Sequence, residues 1–317
     1  MTVKVLDADT LGKDLDLSPL AEFGALTVYP KTVASELPSR LRDAEIILIN
    51  KVKIGEDALA AAPKLRLICI FATGYDNVDT AACTARGIAV CNVRGYSTDS
   101  VAQVTLSMAL SLATHLNEYR DFVSDGSYTA SGVQNCLTPV YRELAGKCWG
   151  VIGYGNIGKR VAEVARALGC RVLACRQHPT KGDDTVSLDR LLRESDVISL
   201  HTPLSAQTRH LIDAAAISKM KDGVILINVA RGAVTDEGAV AEAVKSGKIG
   251  ALGVDVYSTE PMPKTHPYQT LIGYKNVCLT PHMAWGAYEA RVRCLDESLE
   301  NIRAFLRGER RNRVDGG

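Results

Sequence analysis

The sequence predicts an α/β protein built from two open sheets of mainly parallel strands, and three observations lead to that reading. The first hundred residues alternate short apolar, strand-like runs with helical segments, and a second alternation of the same kind begins at Cys148. Between the two lies one long apolar segment of helical period, Ser97 to Asn117. A chain of 317 residues with 46% hydrophobic composition can fill two cores, so two domains are expected.

In the first block, strand-like runs stand at Val3 to Leu6, Leu26 to Tyr29, Glu45 to Ile49, Leu67 to Phe71 and Ile88 to Cys91. Ligands of open parallel sheets bind beyond the carboxyl ends of the strands. Asn50-Lys51 and Ala72-Thr-Gly-Tyr-Asp76 therefore lie where a site can form, although an ordinary solvated turn explains each equally well when judged alone. Ser97 to Asn117 reads as a single helix, capped by serine and threonine and apolar around so much of its circumference that it is buried on more than one side. Beyond it, as far as Pro139, periodicity fades and a polar arm or surface loop is expected.

The second block opens on a strand, Cys148 to Ile152, then a glycine turn, an alanine-rich helix from Asn156 to Leu168 and a strand from Arg171 to Cys175. This is a βαβ unit of the size a dinucleotide needs. Gly153 permits the tight turn, Gly155 lets a pyrophosphate reach the backbone, and Gly158 lets the helix pack close, with its first amides aimed at the phosphate. Further strands are expected at Val197 to His201, Val224 to Asn228, Ala251 to Val256 and Val277 to Thr280. Each ends in residues a simple core would not need: His201-Thr-Pro203, Asn228-Val-Ala-Arg-Gly232, Asp255 and Pro281-His282. The arginine-rich tail from Arg303 reads as a solvated helix end rather than a binding patch.

Composition narrows the partners. Lys and Arg number 37 against 36 Asp and Glu, so no basic field draws nucleic acid or an anionic membrane, and a small molecule is the expected partner. No stretch has the length of a membrane span, and the first residues run into a strand rather than a signal peptide. Nine cysteines are scattered with no CxxC pair, which points to a reducing, cytoplasmic setting and away from a bound metal.

Three motifs in a fixed order, NVARG (228–232), GVDVYSTEP (253–261) and TPHMAW (280–285), follow the glycine turn GYGNIG (153–158). Arg231 and Glu260 are 29 positions apart, and Glu260 and His282 are 22 apart. In this the chain resembles the D-isomer-specific 2-hydroxyacid dehydrogenases; ATGYDNVD (72–79) and YSTDSVAQ (96–103) resemble most the glycerate dehydrogenase, or hydroxypyruvate reductase, branch. The resemblance implies two doubly wound parallel-sheet domains. A Rossmann NAD(P)-binding domain, residues 98–285, is inserted into a discontinuous, flavodoxin-like substrate domain formed by residues 1–97 and 286–317. It also implies hydride transfer between NAD(P)H and a small 2-oxo acid to give a D-2-hydroxy acid, and a homodimer formed through the helix and arm at 97–145.

Reducing a 2-oxo acid builds negative charge on the carbonyl oxygen, so a proton donor must stand beside it. His282 is the candidate, and the family assigns the glutamate matching Glu260 the role of stabilising the protonated imidazole. His115, His178, His210 and His266 lack this context, while His201, also at a strand end, remains a competitor. Arg231 is expected to clamp the substrate carboxylate as a planar fork. By the resemblance, the amides of Thr73, Gly74 and Tyr75 bind its other side with Lys51 near. Asp255 lies by the nicotinamide carboxamide, and Asn156, Ile157, Thr202, Pro203, Val229 and Ala230 line the pyrophosphate and ribose.

One position departs from the NAD pattern, which places an acid at the end of the second strand to bind the adenosine ribose. Arg176 stands there, and no Asp or Glu occurs between Glu163 and Asp183, so NADP(H) is expected to be tolerated or preferred. The alternative is that Arg176 faces solvent and either cofactor is accepted. For the whole chain, the alternative is a dinucleotide-sensing, corepressor-like interaction protein on the same fold, which would not require Arg231, Glu260 and His282 together.

Overall fold

Strands that are apolar at every position, rather than at alternate ones, are those covered on both faces of a parallel sheet. Ile46-Ile-Leu-Ile49 and Leu67-Ile-Cys-Ile70 have this character, and all eight side chains are buried. The computed structural model, which describes residues 1–178 and 184–316, places them at the heart of the first sheet. That sheet holds β1 (Thr2–Val5), β2 (Ala25–Val28), β3 (Ile46–Ile49), β4 (Leu67–Ile70) and β5 (Ala89–Cys91) in the order β2-β1-β3-β4-β5, all parallel. The second sheet holds β6 (Cys148–Ile152), β7 (Arg171–Cys175), β8 (Val197–Leu200), β9 (Val224–Asn228), β10 (Ile249–Val254) and β11 (Val277–Leu279). Its order is β11-β10-β9-β8-β6-β7, again all parallel. In each sheet the chain goes out on one side of the first strand and returns on the other, so the switch points lie beside β1 and β6.

Residues Met1–Ser97 and Gly286–Gly317 form one compact unit and Thr98–Trp285 the other. The C-terminal helix, Tyr288–Leu306, packs on β4 of the first unit. Among the described residues no helix is long and apolar enough to cross a membrane.

Two expectations are corrected. The single helix expected over Ser97 to Asn117 is Thr98–Ala113 followed by a break: His115 takes a left-handed φ of 53°, with its Nδ1 2.7 Å from Glu118 Oε1, and a second helix, Leu116–Ser124, leaves at a new angle. The arm expected to be irregular thus contains this helix and a short one, Ser127–Ser131. Neither buries any residue in this chain, and each is shorter than the roughly 11 to 18 residues over which a helical period is read.

The tail is a solvated helix end only through Arg310, where residues 306–310 are exposed; beyond that point the chain is tied back to the first sheet. Arg313 bridges Cys91 in antiparallel fashion, Asn92 N–H donates to Asn312 O at 3.1 Å, and Val314 N–H donates to Val90 O at 2.9 Å. The last residues therefore cover the open edge of β5, which an α/β sheet must protect in some way.

Candidate active site

Adjacent strands of a parallel sheet bring their carboxyl ends to one edge, and β9, β10 and β11 are neighbours. Arg231, Glu260 and His282 follow these three strands in turn, so the three loops start side by side. Backbone bonds tie the starts together: Asp255 N–H donates to Asn228 O at 3.0 Å and Thr280 N–H to Val254 O at 2.9 Å.

The closest functional contact is between His282 Nδ1 and Glu260 Oε2, at 2.6 Å, with both side chains partly open to solvent. The other carboxylate oxygen, Oε1, accepts the N–H of Tyr257 at 3.0 Å, so Glu260 is oriented from behind while it faces the imidazole. His282 takes a left-handed φ of 55°, a conformation few non-glycine residues adopt and one that is held only when surrounding structure fixes it. Asp255 supplies that support. Its side chain is 1% exposed; Oδ1 accepts Thr280 Oγ1–H at 2.5 Å and Met283 N–H at 2.9 Å, and Oδ2 accepts Ala284 N–H at 2.9 Å. Asp255, expected at the nicotinamide carboxamide, is thus committed to the turn that carries His282. Trp285 Nε1–H closes the same turn by donating to His282 O at 2.9 Å.

Arg231 sits on a turn shaped by Asn228, whose Oδ1 accepts Ala230 N–H at 3.0 Å and whose Nδ2 donates to Arg231 O at 3.0 Å. Gly232 follows for a steric reason. A Cβ there would lie 2.0 Å from Tyr257 C and 2.1 Å from Ser258 N, so only glycine lets the arginine turn press against the loop that leads to Glu260. Tyr257 joins this loop to the third, its hydroxyl donating to Thr280 O at 3.0 Å, and burial pushes its phenol up to about 12 so that it keeps its proton. Nothing in the sequence marked Tyr257 or Asn228 as organisers; both lay inside motifs read for their neighbours.

His201, the competitor, stands in a different setting. Burial disfavours its charged form and pushes its imidazole down to about 3, which argues against it as the proton donor. Its Nε2 meets Ser199 Oγ at 3.0 Å, and Ser199 Oγ accepts Trp149 Nε1–H at 2.9 Å, which places His201 in the packing behind β6. Two of the other histidines also meet a carboxylate, though outside the strand-end motif. His115 faces Glu118 in the arm, and His266 Nε2 lies 2.9 Å from Glu237 Oε2, where the ring is buried and closed to substrate.

The glycine turn fits a dinucleotide. Gly153 has φ 98°, and a Cβ on it would strike His201 C at 2.5 Å, so the β6 and β8 loops meet there. A Cβ on Gly158 would lie 2.0 Å from Gly153 O, which fixes the helix Asn156–Ala167 against the turn. At Gly155 nothing lies within 4 Å, and no side chain caps the helix it begins. The first-turn amides, including those of Asn156 and Ile157, therefore point into open space suited to a phosphate. Thr202 and Pro203 follow β8, where Thr208 Oγ1–H holds Pro203 O at 2.7 Å; Val229 and Ala230 are buried. Arg176 directly follows β7, and Gln177 and His178 beside it are exposed, while residues 179–183, Asp183 among them, lie outside the described residues.

In the first unit, Asp7 is buried at the end of β1 and its Oδ2 accepts the N–H of Lys51 at 2.6 Å and of Val52 at 3.0 Å. That grip fixes the loop after β3 on which Lys51 stands. After β4, Thr73 Oγ1–H donates to Val93 O at 2.7 Å, and Asn92 Nδ2 donates to Thr73 O at 2.7 Å. Among the described residues no acceptor takes up the backbone N–H of Thr73, Gly74 or Tyr75, which leaves three adjacent donors open at a strand end.

Comparison with known proteins identifies the family. A family model for the D-isomer specific 2-hydroxyacid dehydrogenase, NAD binding domain, matches residues 106–284. The chain is 36% identical over 324 residues to a hydroxypyruvate reductase of Blautia hydrogenotrophica, covering 99% of this chain and 100% of that one. It is 40% identical over 282 residues to a glycerate dehydrogenase of Methylorubrum extorquens, covering 88% of each. Among solved structures, a D-lactate dehydrogenase from Aquifex aeolicus complexed with NAD and lactic acid superposes with a TM-score of 0.88 at 33% identity, with 100% of both chains covered. An acyclic imino acid reductase in complex with NADPH and D-arginine superposes with a TM-score of 0.87 at 27% identity, covering 99% of this chain and 100% of its own. Loop motifs, strand order and the match along the full length converge: the chain belongs to the D-isomer specific 2-hydroxyacid dehydrogenase family, on its glycerate dehydrogenase and hydroxypyruvate reductase side.

Proposed function

We propose that this enzyme reduces a short 2-oxo acid, of the hydroxypyruvate or glyoxylate class, to the D-2-hydroxy acid with His282 as proton donor. The observation that carries this reading is the 2.6 Å contact between His282 Nδ1 and Glu260. With Nδ1 committed to the carboxylate, Nε2 is the atom left to serve the substrate oxygen, and the Glu260 contact fixes the ring in that orientation. A bound dihydronicotinamide supplies the hydride. Arg231 holds the substrate carboxylate and polarises the carbonyl, and the open amides of Thr73, Gly74 and Tyr75, with Lys51, supply further donors. Asn156, Ile157, Gly153, Gly155 and Gly158 hold the pyrophosphate, with Thr202, Pro203 and the backbone of Val229 and Ala230 beside it. A panel of 2-oxo acids assayed for oxidation of NADH and NADPH tests the reading, which fails if no short 2-oxo acid is reduced.

For the cofactor we propose that NADPH is accepted at least as well as NADH. No carboxylate stands at residues 176–178 to repel a 2′-phosphate, and Arg176 offers a charge-assisted donor. With one good 2-oxo acid, kcat/KM for NADPH should equal or exceed that for NADH, and Arg176→Asp should reverse the ratio. A hundredfold preference of the wild type for NADH, about 2.7 kcal/mol, would rule out phosphate reading by Arg176.

A homodimer through the 97–145 segment is supported by its exposed apolar side chains, among them Leu116, Val123, Val133, Leu137, Val140 and Tyr141. Light scattering of the protein and of a Leu137→Asp/Val140→Asp variant tests it. Nine free cysteines and no need for nucleic acid or membrane accord with a cytoplasmic setting.

A further inference from the structure

Behind the loop that carries Glu260 lies a carboxylate that the chemistry above does not use. Glu237, the first residue of the helix Glu237–Lys245, is 8% exposed. Its Oε1 accepts Ser258 N–H at 2.9 Å, and its Oε2 accepts Ser258 Oγ–H at 2.5 Å and the ring N–H of His266 at 2.9 Å. The direction of that last bond follows from the other ring nitrogen: His266 Nδ1 accepts Tyr268 N–H at 3.2 Å, so the ring proton sits on Nε2 and points at Glu237. The rings of Tyr257 and Tyr268 flank His266, with centroids 5.7 and 5.1 Å away. A helix start needs no buried carboxylate, since Asp236 already caps this one by accepting Ala239 N–H. Burying a charge away from water is tolerated only where several donors fix it, and here all three donors belong to, or brace, one loop.

We propose that Glu237, braced by His266 and acting through Ser258, is the positioning residue that keeps Glu260 turned toward His282; this rests on the reading of His282 as the proton donor. The route is short. Ser258 is held at both its N–H and its hydroxyl, which fixes the peptide next to the one whose N–H, from Tyr257, orients Glu260 Oε1. Gly232 presses on the same two residues from the arginine turn, and Tyr257 carries the restraint to Thr280, two residues before His282. The ionisable groups that face Glu237 are His266, Tyr257 and Tyr268, with Asp236 beside it on the same helix; burial raises both phenols, so neither titrates in the range where reduction does.

In Glu237→Gln the amide cannot accept from all three donors at once, so the loop loosens and Glu260 is less well aimed. Expected for the folded variant is a fall in kcat of about tenfold or more, with KM for the 2-oxo acid and affinity for the cofactor within about twofold. Glu237→Gln added to Glu260→Gln should lower kcat no further than Glu260→Gln alone. Ser258→Ala, which removes only the hydroxyl arm and is far gentler on folding, should show a smaller fall in kcat, again with KM unchanged. A Ser258→Ala or folded Glu237→Gln enzyme with the wild-type kcat, beside an inactive His282→Ala, would overturn this proposal and leave the site assignment intact. Near-normal activity of His282→Ala would instead overturn the site assignment on which it rests.

Discussion

His282 combines a backbone conformation that is uncommon for its residue type with a side chain locked to a carboxylate, and neither is explained by packing alone. Removing the imidazole in His282→Ala should cut kcat by about 10² to 10⁴-fold, the usual worth of a positioned acid, with cofactor affinity little changed in a fluorescence titration. In Glu260→Gln the ring loses the carboxylate oxygen that orients it at 2.6 Å, so kcat should fall by about tenfold or more with KM for the 2-oxo acid little changed in steady-state assays. Arg231→Lys keeps the charge but loses the fork, and should chiefly raise KM for the 2-oxo acid; unchanged KM and kcat would remove Arg231 from the site. The sequence brings these three proposed residues forward because each sits in a short motif at a strand end. Their supports were not legible: Asp255 and Glu237 act through contacts 21 or more positions away in sequence, and only the folded sheet edge reveals whom they hold.

The strands were legible for a simple reason, since runs such as Ile46–Ile49 and Leu67–Ile70 are apolar at every position and can only be covered on both faces. The helices of the arm were not, because Leu116–Ser124 and Ser127–Ser131 bury nothing in this chain and are each too short to repeat a helical period. Turns fall between these extremes, and their glycines divide into two kinds that substitution separates. A methyl on Gly232 meets the backbone of Tyr257 and Ser258 at 2.0 and 2.1 Å, atoms that cannot swing aside. Gly232→Ala should therefore cost about 1 to 3 kcal/mol of stability in denaturant titration and lower kcat as well, because the Arg231 and Glu260 loops are pushed apart. A methyl on Gly155 meets nothing within 4 Å. Gly155→Ala should leave the melting temperature unchanged while weakening cofactor binding, since the methyl occupies the approach to the helix amides. Loss of stability in Gly155→Ala with normal cofactor affinity would reverse these two roles.

At the scale of the molecule, the chain leaves its first unit at Ser97, builds the second, and returns at Gly286 to finish the first. That return was legible from the resemblance of the motifs, but the use of the final residues was not, because Arg310 to Arg313 read as a charged and solvated end. Asp315 explains why the end is ordered. It is 5% exposed, its Oδ1 accepts Val90 N–H at 2.8 Å and Arg313 Nε–H at 2.6 Å, and its other oxygen also meets the Arg313 guanidinium. Burial alone would raise its carboxyl, but the Arg313 guanidinium and the Val90 N–H outweigh burial and hold it below the ordinary value. A carboxyl lowered in the folded state stabilises the fold fully above its unfolded value of about 4, and that contribution is lost as pH falls through the depressed folded value. Asp315→Asn keeps the shape and one acceptor but leaves Arg313 without its charge partner, so it should cost about 1 to 2 kcal/mol near neutral pH. The gap between wild type and variant, measured by urea denaturation at a series of pH values, should narrow below about pH 4 as the wild-type carboxylate is protonated. A gap that stays constant from neutral pH into acid would mean that the tail is held by its backbone pairing with β5, through Val314 and Asn312, and that the charge of Asp315 contributes nothing.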